Sequence, residues 1–241
     1  MKASNKILWL AVGGLFAGVV VLLVLIRVSA SPPAERAEPM PEVSGSNAWV
    51  SRSFPLKFFR GVHASGKWHL TLQNGQTYAV EIEAPEYLLQ GLVVEKEKDI
   101  LRLGLEKGWR LKKGELRAHV TLPSLESLHV SGSVTVDMNG FESERLKINA
   151  SGSTRLAGRG NKIYYLTLKG SGSSRFELAD NPVAFVEMDL SGSSVVDVTM
   201  AGGDLKGSIS GSGKVVYDGD VRDQELNISG SGSVQRRKSA G

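Results

Sequence analysis

The sequence predicts an all-β chain wound as a right-handed parallel β-helix, a solenoid with coils of about 20 residues, preceded by one N-terminal transmembrane helix. Three observations carry this. The tripeptide Ser-Gly-Ser begins at Ser131, Ser151, Ser171, Ser191, Ser210 and Ser229, so by difference the steps are 20, 20, 20, 19 and 19. Apolar and polar residues alternate on both sides of each tripeptide. Residues 7–26 form an uninterrupted apolar run without charge.

From the N-terminus, residues 1–6 make a short basic head containing Lys2 and Lys6. Residues 7–26 are about long enough to cross a hydrocarbon core of ~30 Å, and too long for the usual apolar core of a cleaved signal peptide. An uncleaved anchor is the favoured reading, although Val28-Ser29-Ala30 is a passable cleavage site. A basic head before such an anchor exports the rest of the chain, which places it on the periplasmic or extracellular side of the cytoplasmic membrane. Residues 27–48 form a linker holding Pro32, Pro33, Pro39 and Pro41, an extended and semi-rigid spacer. Residues 49–235 remain for one β-solenoid domain, and residues 236–241 form a basic tail with Arg236, Arg237 and Lys238. That tail reads as charge that blunts the open edge of the last coil, in preference to a site for anionic polymer or lipid.

Within the repeat, the positions three before each first Ser are Leu128, Ile148, Leu168, Met188, Gly207 and Leu226. Those five after it are Val136, Leu156, Phe176, Val196, Val215 and Val234. This is the period of a half-buried strand. The central Gly has inward parity and marks a corner. Either no side chain fits inside it, or the backbone there needs a conformation cheap only for Gly. The flanking Ser hydroxyls would stack at roughly the inter-strand spacing of 4.8 Å and bond along the ladder. Asn139-Gly140, Arg159-Gly160, Asp180-Asn181-Pro182, Gly202-Gly203 and Asp218-Gly219 supply a second turn per coil.

An earlier copy, residues 62–72 with Ser65-Gly66, aligns with residues 128–138. The interval from Ser65 to Ser131 amounts to a little over three coils, so irregular coils are expected within it. Strand-like runs there span 78–83, 92–96, 101–105 and 116–122, with excursions at Gln73-Asn74-Gly75 and 106–114. Phe59-Arg60-Gly61-Val62, Ser65-Gly66, Leu70-Thr71-Leu72-Gln73-Asn74-Gly75 and the later Ser-Gly-Ser ladder, in this order, resemble the putative auto-transporter adhesin, head GIN domain family. The resemblance covers roughly residues 49–235. It implies an all-β, solenoid-like extracytoplasmic domain, and it supplies no activity and no catalytic residues.

Chemistry-bearing motifs are sparse. There is no cysteine, which removes disulfides, thiolate metal sites, a cysteine nucleophile and a lipidated cysteine anchor. The glycine-rich stretches lack the Lys-Ser/Thr of a phosphate loop, the calcium-binding nonapeptide is missing, and no cofactor, metal site or nucleic-acid partner is expected. The formal net charge of +4 is small. His63 and His129 share an outward column, but the expected intervening coils separate them. Asp137, Glu177 and Asp197 share another. Asp137 and Asp197 are three coils apart, about 14 Å, beyond the roughly 5–9.5 Å of paired-carboxylate chemistry. Glu177 and Asp197 on adjacent coils read as a solvated stripe. A third column, Thr135, Arg155, Arg175, Val195, Lys214 and Ser233, contains the one basic row that repeat arithmetic places. Arg155, Arg175 and Lys214 are therefore the candidate ligand face, suited to carboxylate or phosphate. The reading is a non-catalytic binding or adhesive module at the cell envelope, its partner a polysaccharide or protein. The alternative is a self-assembling scaffold, homo-oligomeric through exposed β edges. A polysaccharide-cleaving enzyme is the outsider.

Overall fold

Every regular rung is built around the same bend. At Gly66, Gly132, Gly152, Gly172, Gly192, Gly211 and Gly230 the backbone adopts φ between 80° and 113°, which L-residues rarely take. These glycines stack in one column. A Cβ on Gly132 would collide with the carbonyl oxygen of Gly66, and one on Gly172 would lie 2.6 Å from that of Gly152. The corner is solvent-exposed, so what excludes a side chain is the backbone of the preceding rung together with the positive φ, not an occupied interior.

The computed structural model describes residues 46–237. The anchor expected at residues 7–26, most of the 27–48 linker and the end of the basic tail lie outside the described residues. No helix among the described residues is long and apolar enough to cross a membrane. The described chain is all-β apart from one short 3-10 turn, Glu86–Leu88. Its strands are β1 (Trp49–Ser53), β2 (Gly61–Asn74), β3 (Ala79–Pro85), β4 (Leu92–Glu97), β5 (Ile100–Leu105), β6 (Leu116–Leu122), β7 (Ser127–Asn139), β8 (Glu142–Arg159), β9 (Lys162–Leu190), β10 (Val195–Ala201), β11 (Asp204–Gly211), β12 (Lys214–Asp220), β13 (Asp223–Gly230) and β14 (Ser233–Arg236).

From β2 onward the stack β7, β8, β9 is parallel and in strict register, Ser on Ser and Gly on Gly. Beyond β9 each rung is carried by two strands. One face runs β9, β10, β12, β14 and the other β9, β11, β13, all parallel. The solenoid expected over residues 128–235 is present.

The region between the two earliest copies folds otherwise than expected. β7 stacks directly on β2, with no coil between them. β5 and β6 run parallel to β2 along its opposite edge. β4 folds back antiparallel on β5, β3 antiparallel on β6, and β1 antiparallel on β3. The interval is thus a cap beneath the first rung, which covers an edge that would otherwise template aggregation.

The core runs along the solenoid axis as columns of like position. Trp68, Val134, Thr154, Ser174 and Ser194 form one that shrinks from the capped end onward, all buried. Where it is small, its neighbours are large: Phe176 is fully buried, and a Cβ on Gly170 would stand 3.1 Å from its ring. Volume is conserved across columns rather than within each, as close packing requires. The second turn of successive rungs encloses a buried polar ladder. Asn161 and Asn181 are fully buried on successive rungs. The Asn181 carboxamide donates to Gly158 O at 2.7 Å and accepts from the Asn161 backbone and side-chain N–H groups at 3.0 and 2.7 Å. Asn161 in turn donates to Met138 O and accepts from Phe141 N–H, both at 2.8 Å. The Ser ladder also differs from expectation. Ser191 and Ser210 hydroxyls donate to backbone carbonyls of the preceding rung, at 3.4 and 3.3 Å.

Candidate functional site

The basic row placed by repeat arithmetic exists as a row. Arg155 is in register with Arg175, Arg175 with Val195, and Val195 with Lys214. Arg155 donates to Glu177 at 2.7 Å, which offsets the Arg155–Arg175 repulsion. Arg175 and Lys214 have no ion-pair partner among the described residues. The carboxylate column is also real, Asp137 through Ala157 to Glu177 and Asp197. Each of its acids is engaged: Asp137 with His69 Nε2 at 2.8 Å, Glu177 with Arg155, and Asp197 with Arg237. Arg236 likewise donates to Gly219 O at 2.9 Å, so the start of the basic tail folds against earlier rungs.

His63 and His129 are not apart. They are register partners, with ring centroids 4.6 Å apart. Burial, His129 and Arg102 together hold the His63 pKa below the usual histidine range. The separation expected from sequence rested on coils that the cap replaces.

Repeat arithmetic around Ser-Gly-Ser missed the surface with the most binding character. At one corner of the rungs two consecutive residues face outward, Glu144-Arg145, then Tyr164-Tyr165, then Ala184-Phe185. Arg145 and Tyr165 are in register. The Tyr165 and Phe185 rings stack at 4.7 Å and 19°. Tyr164 meets both edge-on, at 4.9 and 5.3 Å. The Arg145 guanidinium lies 5.5 Å from the Tyr165 centroid, and that of Arg222 lies 5.6 Å from Phe185. The result is a four-layer stack, cation, ring, ring, cation. Tyr164 and Tyr165 remain 51% and 41% exposed, and with Phe185 they make a contiguous aromatic patch.

Ion pairs fix the far end of the stack. Arg222 grips both oxygens of Asp204 at 2.9 and 3.0 Å, which holds the Asp204 carboxyl below its usual range and raises the Arg222 pKa. Lys206 pairs with Asp223 at 2.9 Å, and its pKa is raised chiefly by that contact. Two open grooves, of about 790 and 570 Å³, meet here and share Tyr165, Thr167 and Glu187. Their polar linings carry both signs of charge, including Arg145, Lys147, Lys169 and Lys206 against Glu144, Glu187 and Glu225. The sequence does hold the signal: Arg145, Tyr165 and Phe185 are each separated by one coil. Among the described residues no three His, Asp or Glu side chains gather as a metal centre.

These features define a class, a capped β-solenoid whose chemistry lies on outward ladders. The chain belongs to the family described as "Putative auto-transporter adhesin, head GIN domain", whose model matches residues 58–181 and again 166–240. Solved structures share the fold. A putative adhesin from Bacteroides fragilis is 18% identical, with a TM-score of 0.60 over 80% of this chain and 99% of that one. A putative lipid binding protein from Parabacteroides distasonis is 16% identical, with a TM-score of 0.50 over 80% and 98%. Among curated proteins none matches the chain.

Proposed function

We propose that this chain is a membrane-tethered extracytoplasmic binding module, which presents its solenoid to a polysaccharide or protein of the cell envelope and carries out no reaction of its own. Residues 7–26 are the tether, residues 27–48 the spacer, and the solenoid winds right-handed. The observation that carries the reading is the arginine-capped aromatic stack at the junction of two grooves. Tyr and Arg are enriched in binding hot spots because they combine apolar area with a polar reach, and Phe adds apolar area. The outward carboxylates that an acid–base mechanism would use are instead held by His69, Arg155 and Arg237. The basic row of Arg155, Arg175 and Lys214 is a second face for an anionic partner.

The test uses the full-length protein in detergent and purified cell-envelope fractions. Tyr165→Ala with Phe185→Ala should cut co-sedimentation at least about tenfold, as loss of hot-spot rings does. If Arg155→Ala with Arg175→Ala has that effect instead, the face is wrong. Turnover of an envelope polysaccharide, abolished by Asp197→Ala, would overturn the non-catalytic reading.

A second reading, the self-assembling scaffold, is favoured by the last described rung. β13 and β14 each pair on one side only, and Ile228 there is 45% exposed. Light scattering at rising concentration separates the two: a binding module stays at one mass, whereas a scaffold grows.

A further inference from the structure

The cap brings together a row of side chains that the sequence scatters. In register across the sheet stand Glu95, Arg102, His63, His129, Asn149 and Lys169. At the middle of this row the His63 and His129 rings face each other at 4.6 Å, tilted by 45°. Neither imidazole has a hydrogen-bond or ion-pair partner among the described residues, whereas His69 lies against Asp137 and His119 lies 3.9 Å from Glu83. Beside them the Asn149 side-chain oxygen is buried with no donor to satisfy it. The Thr154 and Ser174 hydroxyls are also buried without a partner, but of the three only the Asn149 oxygen stands beside the histidines. A hollow of about 470 Å³ opens beside His129, lined also by Asn149, Ser151, Lys147, Lys169 and Asp189; His63 is not part of its lining.

We propose that His63 and His129 bind a late first-row divalent cation, copper(II) most tightly and nickel(II) or zinc(II) more weakly, with solvent completing the coordination and Asn149 accepting a hydrogen bond from a bound water. Imidazole suits these ions, and the order follows the general affinity series for divalent metals. Metal–nitrogen bonds are about 2.0–2.1 Å long, so the two rings would have to turn from their 4.6 Å, 45° arrangement to aim one nitrogen each at a shared ion. The ligand form of histidine is the neutral imidazole. The nearest fixed cation, Arg102, is held by Glu97 at 2.6 Å and faces Glu95 at 3.9 Å. Lys147 and Lys169 border the hollow but are exposed and free to turn into solvent. The bound ion would join β2 to β7, two strands distant in sequence, where the cap meets the first regular rung.

The full-length protein, purified without chelators, is titrated with copper(II), zinc(II) and inorganic phosphate by calorimetry, with thermal melts in parallel. The expected result is one saturable copper site per chain, weaker zinc binding, and a melting temperature that rises with cation concentration. His63→Gln and His129→Gln should each weaken copper at least about tenfold, and Asn149→Ala should also weaken it, as loss of a supporting partner does. His69→Gln and His119→Gln should change nothing. Electron paramagnetic resonance should show two imidazole nitrogens, reduced to one in His129→Gln, a readout independent of any effect on folding. Absence of saturable copper binding up to millimolar concentration would overturn the proposal. So would loss of binding in His69→Gln with retention in His129→Gln, or phosphate binding in place of copper.

Discussion

Two glycines with the same sign of φ show how a single residue carries the fold. Gly172 has φ of 88° and its missing Cβ would stand 2.6 Å from the Gly152 carbonyl oxygen. Gly160 has φ of 62°, and nothing lies within 4 Å of the corresponding point. Gly160→Ala should therefore cost only the left-handed backbone term, roughly 1–2 kcal/mol. Gly172→Val adds a backbone collision that relaxation can relieve only by separating two rungs, so it should cost at least about 3 kcal/mol. Denaturant titration of the two variants checks the contrast, and equal losses would mean that the stacked backbone contact does not matter. His63 gives a second expectation. Its folded pKa lies below the unfolded value of about 6.5, so the unfolded chain takes up the proton first. Its contribution to stability is thus complete above about pH 6.5 and is lost as pH falls toward the depressed folded pKa. The carboxyl of Asp204 is depressed too, but its contribution fades only at lower pH, through the carboxylate range. In chelator-treated protein His63→Gln should flatten the fall in melting temperature just below pH 6.5 while leaving the acid limb unchanged. A wild-type profile flat between pH 5 and 7 would contradict this.

Between strands, the buried asparagine pair is what ties successive rungs together at their second turn. Asn181→Ala would leave the Asn161 backbone N–H and the Gly158 carbonyl without partners, and each such group costs about 1–3 kcal/mol. The expected loss is about 2–4 kcal/mol by denaturant titration. A loss under about 1 kcal/mol would mean that water replaces the carboxamide. The strands themselves are largely legible in the sequence. The runs at 92–96, 101–105 and 116–122 correspond to β4, β5 and β6, because alternation survives in the cap. Their pairing is not legible. The hairpin from β4 to β5 turns on Lys98 and Asp99, with Lys98 at φ 55°. A lysine in the left-handed region carries no turn signal of the kind Asn-Gly gives. Nor does a strand state which of its two edges will be used first. β2 takes the cap on one edge and β7 on the other, so dividing the interval by the coil length yields coils that are not there. The same error separates His63 from His129. Asp180-Asn181-Pro182 bends as its composition predicts, since the pairing of β9 with β10 jumps from Leu178 to Pro182; what composition does not show is that the Asn181 carboxamide turns inward.

Across the molecule, the regular part repeats one rung, and its outer surface is set by what each column carries outward. The basic row is legible because it lies next to the Ser-Gly-Ser marker from which the arithmetic starts. The aromatic corner lies well past the middle of each coil and, though equally periodic, has no such marker beside it. Lys147, Arg159 and Lys169 stand exposed without an ion pair among the described residues, as Arg175 and Lys214 do, so charge alone does not single out a face. The ringed corner is the face we assign to the partner. Hydrogen exchange of the full-length protein, with and without purified envelope fraction, reads that face out directly. New protection should concentrate at residues 144–147, 164–169 and 185–189, with the opposite face unchanged. Protection confined to the strands carrying Arg155, Arg175 and Lys214, or no protection anywhere on the solenoid, would refute the assignment.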